Sequence, residues 1–213
     1  LLVFMGLGRH ILPSGRISDA TETPTRKVRP DHPLRSEPVM RCRIPATSPL
    51  VGQTRETIAL WQRYGLNLLA MAQEDDITYA PWRHQPFAAN QEMALMGPAE
   101  RFEQFVRDYE LRPLSSDEGS PRLLPSCAMF ADVIVPPGAS AIGRTMRQLE
   151  LRKQFGVEPV LLLDRDTQRR DDFSDVPLQA GTTLTVYGPC RHIRTLGAQE
   201  GFHLLTPLPE RDD

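Results

Sequence analysis

Cysteine is scarce in this chain, and the arrangements of it that carry chemistry are missing. Cys42, Cys127 and Cys190 form no C-x-x-C pair and leave one thiol over in any disulfide scheme. A reducing compartment is therefore the better expectation. Positive charge is not in surplus either. With 25 Lys and Arg against 27 Asp and Glu, the chain does not advertise the basic face that phosphate neutralisation needs, so nucleic acid is not an expected partner. No apolar run approaches the roughly 20 residues that would span a bilayer. The five histidines, His10, His32, His84, His192 and His203, stand at no metal-ligand spacing with the cysteines. Cys190 and His192 are too near in sequence to share a helix face. Gly6-x-Gly8 has no preceding βα unit and no third glycine, so no NAD site is implied. These absences leave catalysis little to stand on: an enzyme is not expected, nor is a metal or a resident cofactor.

What the chain does have is an internal repeat. Adding 91 to Gly65, Asn90, Gly97 and Pro98 gives Gly156, Gly181, Gly188 and Pro189, and the same offset carries Pro45 to Pro136, Gly52 to Gly143, Thr54 to Thr145 and Pro86 to Pro177. Glycine and proline fix backbone geometry, so two segments that keep them at one spacing share a fold. A chain of 213 residues then holds two units of about 70 to 75 residues. Each buries only roughly 60 to 65% of its unfolded surface, so an intimate tandem pair or a homodimer is expected on stability grounds.

Both units follow one order of elements. A first strand, Met40 to Ile44 or Ala131 to Val135, ends at proline. A Gly-x-Thr follows, with the threonine placed to cap a helix. That helix should be short, because Ile58 and Leu60, like Leu149 and Leu151, are two apart rather than three or four. Gly65 and Gly156 close it in the left-handed region. Apolar strands come next, Leu66 to Ala72 and Val157 to Leu163, the second marked by Pro159 as an edge or late-starting strand. Asp164-x-Asp166 after it reads as a strand-end turn rather than a cation site, since only Asp166 matches the other unit, at Asp75. Asn90 and Gly181 both tolerate positive φ and predict a tight turn before the last strand. Gly-Pro then starts a final helix, with proline at its first position. In the first unit this helix carries the stripe Phe102, Phe105, Val106, Tyr109; in the second only Ile193 and Leu196 hold the face, which predicts weaker packing.

This order of elements resembles the RCK C-terminal domain, also called the TrkA-C domain. The resemblance rests on Leu50-Val51-Gly52-Gln53-Thr54, Tyr64-Gly65-Leu66 and Asn90-Gln91-Glu92-Met93 to Gly97, and on Ile142-Gly143-Arg144-Thr145, Phe155-Gly156-Val157 and Gly181-Thr182-Thr183-Leu184 to Gly188. The family's Gly-Asp before the last strand is replaced by Asn90-Gln91 and Gly181-Thr182. The fold this implies is α+β: two tandem TrkA-C-like domains, each a small, mostly antiparallel sheet with a short helix and a C-terminal amphipathic helix. The expected boundaries are 1–39 for the end of a membrane helix and a connector, 40–112 and 131–206 for the two domains, 113–130 for the linker and 207–213 for an exit segment.

Tandem copies of this domain are similar to the cytoplasmic insertion of permeases of the divalent anion:sodium symporter family. There a membrane helix ends in a pattern that Gly8-Arg9-His10-Ile11-Leu12-Pro13 approximates, and the apolar start Leu1 to Leu7 reads as the tail of that helix. The resemblance implies a regulatory module at the cytoplasmic face of the plasma membrane, with the transmembrane part of the same polypeptide as partner and sulfate or dicarboxylate as cargo. The alternative is a purely structural dimerisation module without a small-molecule ligand.

Trp61 and Tyr64 with Arg63 between them, and Arg152 and Phe155 at the matching positions, are the candidate ligand-binding residues. Such a pair at i, i+3 is also ordinary helix packing. A site drawing on both units would set arginine on one side and tryptophan on the other, which suits a planar anion. Within the resemblance, a cyclic dinucleotide is the leading candidate ligand.

Overall fold

A computed structural model describes residues 37–115, 123, 128–165, 167–170 and 172–209. The apolar start, the Gly8-to-Pro13 segment, Asp166, Cys127 and most of both connectors lie outside them.

In the first half, β1 (Val39–Arg43), β2 (Asn67–Gln73), β3 (Asp76–Tyr79), β4 (Glu92–Met96) and β5 (Arg112–Leu114) form a sheet of order β3-β2-β4-β1-β5. In the second, β6 (Ala128–Ile134), β7 (Glu158–Asp164), β8 (Thr167–Arg169), β9 (Thr183–Pro189) and β10 (His203–Leu204) form a sheet of order β8-β7-β9-β6-β10. Every neighbouring pair is antiparallel. The two orders are the same, element for element, and the fold is α+β. Strands reach into the stretch 113–130 expected to be linker: β5 pairs with β1, and β6 begins at Ala128.

The turn segment explains the two-residue apolar spacing. Ala59 and Glu150 occupy equivalent positions and both are left-handed, at φ 50° and 46°. In the second half they separate α3 (Met146–Leu149) from α4 (Leu151–Phe155); in the first only α1 (Leu60–Tyr64) follows. Thr145 caps α3, accepting from Gln148 N while the Gln148 side chain accepts from Thr145 N. Thr54 instead bonds Thr57 within a turn and starts no helix. Gly65 and Gly156 cap α1 and α4 at φ 63° and 61°.

A bulge between Leu68 and Ala70 in β2 recurs between Pro159 and Leu161 in β7. A regular strand alternates faces. The bulge sets two consecutive residues, Leu69 with Ala70 and Val160 with Leu161, in one cluster. That cluster also holds Ala72, Ala94, Met96, Leu123 and Tyr187, so the two sheets pack face to face across a shared core. The outer face of each sheet is covered by its own helices. Phe102, Phe105 and Tyr109 of α2 (Ala99–Asp108) and its end pack on Leu68, Met71, Met93 and Leu95. Ile193 and Leu196 of α5 (Cys190–Gly197) pack on Leu162, Leu184 and Val186.

Three details differ from expectation. The α5 face is not loosely packed, because Cys190 joins Ile193 and Leu196 and all three are fully buried. Pro98 and Pro189 are N-caps with extended ψ of 133° and 141°, not first helical residues. Strand β7 is interior, and Pro159 is accommodated because β8 pairs only from Leu162 onward.

Candidate functional site

The bulged strands begin with a polar residue in both halves, Asn67 and Glu158. Both are buried, Asn67 at 7% exposed and Glu158 at 0%. Glu158 accepts four hydrogen bonds: from Arg55 Nη2 and Nη1 at 3.0 and 3.2 Å, and from Arg152 Nε and Nη2 at 2.6 and 3.1 Å. Burial alone would raise its pKa, and the two guanidiniums outweigh burial and hold the carboxyl below the ordinary glutamate range. Arg55 comes from the first half and Arg152 from the second, so this ion triad spans the junction.

Beside it lies a cleft of about 190 Å³ lined from both halves, by Arg55, Trp61, Asn67 and Arg83 of the first and by Arg147, Arg152, Arg170 and Phe173 of the second. Many lining positions correspond through the repeat: 55 with 146, 56 with 147, 61 with 152 and 83 with 174. An adjoining depression of about 260 Å³ is lined by Arg83, His84, Arg147, Arg152 and Lys153, with Glu150. The residues at corresponding positions differ in charge. Glu56 Oε2 lies 2.6 Å from His84 Nδ1, whereas the equivalent pair is Arg147 with Asp175, two bonds of 2.7 and 3.0 Å. Asn67 Nδ2 and Arg170 Nε are buried and have no hydrogen-bond partner among the described residues.

Of the five residues expected to bind a ligand, Trp61 and Arg152 line the cleft. Tyr64 is 1% exposed, donates to Asp108 Oδ2 at 2.7 Å and stacks edge-on with Phe105. Arg63 sits over the Tyr64 ring at 5.2 Å, and Phe155 packs against the core of the second half. Trp61 is half-buried at the cleft, whereas Tyr64, at the C-terminal end of α1, is held in the core against Phe105 and Tyr109 of α2 and its end. Arg55, Asn67 and Glu158 were not singled out from the sequence. The signal was present: Glu158 and Asn67 are polar residues at the same position of two otherwise apolar strands. Among the described residues, no group of three or more His, Cys, Asp or Glu is placed to hold a metal ion, and no helix is long and apolar enough to cross a membrane.

The repeated sheet, the shared core and the cleft at the junction define a tandem pair of α+β units with a binding-sized recess between them. Residues 130–200, in the second unit, match the TrkA-C domain family, and the first unit repeats the strand order and residue offset of the second. TrkA-C domains are typical of regulatory modules of transporters and channels. A curated relative, an uncharacterized transporter sll0640 of Synechocystis, is 26% identical over 78 residues, which cover 37% of this chain and 13% of that protein. Among solved structures, the RCK_C domain dimer of S. agalactiae BusR in complex with c-di-AMP is similar at TM-score 0.31 and 11% identity, covering 33% of this chain and 92% of that one. The GsuK RCK domain is similar at TM-score 0.35 and 10% identity, covering 78% of this chain and 64% of that one.

Proposed function

We propose that this chain is a non-enzymatic, ligand-sensing module of a membrane transporter of the sodium:anion symporter type, held at the cytoplasmic face by the transmembrane part of the same polypeptide. The observation that carries the reading is the arginine-rich cleft at the junction, lined by corresponding positions of the two halves. A ligand seated there touches both halves, so it favours one relative arrangement over another. A tenfold preference for one transporter state is worth about 1.4 kcal/mol. The ligand is a small anion, and the family resemblance nominates a cyclic dinucleotide as the first to try. The match to a transporter of Synechocystis supports the membrane context.

The core shared by the two sheets favours a second reading, a module that only assembles the transporter, since each half already covers the other's inner face. Homodimerisation then belongs to whole transporters. Sulfate and dicarboxylate uptake by the full-length protein in vesicles distinguishes the two. Sensing predicts that an internal nucleotide changes uptake and that Trp61→Ala abolishes the change. Uptake that ignores both nucleotides and the substitution would leave assembly as the function.

A further inference from the structure

The two sides of the cleft are chemically unlike, although the fold makes them equivalent. Position 61 is tryptophan where 152 is arginine, 56 is glutamate where 147 is arginine, and 83 is arginine where 174 is serine. A two-fold-symmetric ligand needs the same partners on both sides, and these positions do not supply them. We infer that the cleft takes an asymmetric ligand, a planar ring bearing a hydrogen-bond acceptor at one end and a single phosphate at the other, of mononucleotide size. This rests on the ligand-sensing reading and narrows it.

Three observations set the orientation. Trp61 is half-buried, lines the cleft and has no aromatic partner among the described residues, so its face is available to stack on a ring. Asn67 lines the same cleft, is 93% buried, and holds an amide nitrogen without a partner. A buried donor left unmade is costly, and a carbonyl or ring nitrogen of a bound base satisfies it. The adjoining depression carries Arg83, His84, Arg147 and Lys153, whose carboxylate partners Glu56, Asp175 and Glu150 are solvent-exposed, unlike the fully buried Glu158. These cations can therefore turn from weak surface pairs to a phosphate. Glu158 meanwhile occupies Arg55 and Arg152 as an internal carboxylate. The second phosphate of a cyclic dinucleotide has no free arginine pair to meet there.

Calorimetry of the 213-residue chain with AMP, adenosine and cyclic di-AMP tests this, repeated on Asn67→Leu and Trp61→Ala with thermal melting of each variant. The expected result is AMP binding at one per chain, at least about tenfold tighter than adenosine or cyclic di-AMP. Loss of stacking in Trp61→Ala is expected to weaken AMP about tenfold or more. Asn67→Leu is expected to weaken AMP while leaving the melting temperature unchanged or raised, because the variant removes an unpartnered buried donor. Cyclic di-AMP binding as tightly as AMP would overturn the asymmetric-ligand inference and leave ligand sensing intact. No binding of any of the three would overturn both, and AMP affinity unaltered by Asn67→Leu would remove Asn67 from the site.

Discussion

Arg55 and Glu158 join the two halves of the chain by a two-point ion pair at 3.0 and 3.2 Å, with the carboxylate fully buried. Removing one partner of such a pair strands the others, which is where its removal is felt. Glu158→Ala leaves two guanidiniums facing each other at the junction and is expected to destabilise the chain by about 3 to 5 kcal/mol. Glu158→Gln keeps an acceptor and should cost less than Glu158→Ala. Urea unfolding checks both, and a loss below about 1 kcal/mol in Glu158→Ala would contradict the burial described.

The same carboxyl predicts an acid limb. Its folded pKa lies below the unfolded value of about 4.3. The unfolded chain therefore binds this proton first as pH falls, and the stability the carboxylate contributes is present above that value and lost as pH drops through the folded one. Between about pH 5 and pH 3, stability of the wild type should fall more steeply than that of Glu158→Gln. Parallel slopes would assign the acid sensitivity to other carboxylates.

Two glycines should respond in opposite ways. At Gly97 an added Cβ would stand 2.8 Å from Leu66 Cδ2 and 2.9 Å from the Gly65 carbonyl, with φ at 156°. Gly97→Ala is expected to lower the melting temperature by several degrees. Gly181, at φ 88°, has open space around it, and Asn90 fills the equivalent turn at φ 64°. Gly181→Asn should change stability by less than about 1 kcal/mol.

The fold was legible because backbone-fixing residues recur at one offset: Gly65 and Gly156 cap their helices, and Asn90 and Gly181 are both left-handed. What stayed hidden was set by contacts between halves. No local pattern tells that Leu69 and Ala70 share a face, because the bulge that turns them is fixed by the register with β4 and by the sister sheet. The candidate site was legible only in part for the same reason. Periodicity along α1 paired Trp61 with Tyr64, but burial divides them, and the partners that complete the cleft come from the other half.

Trp61 gives the most direct test that the junction is a ligand site. The chain has two tryptophans, Trp61 and Trp82, so Trp82→Phe leaves a single indole in the cleft as reporter. Titrating that variant with AMP is expected to quench Trp61 emission along a saturating one-site curve, and a second substitution, Arg147→Ala, is expected to shift the curve to higher AMP concentration. Trp61 emission that stays constant up to millimolar AMP and cyclic di-AMP would contradict a nucleotide site at the junction.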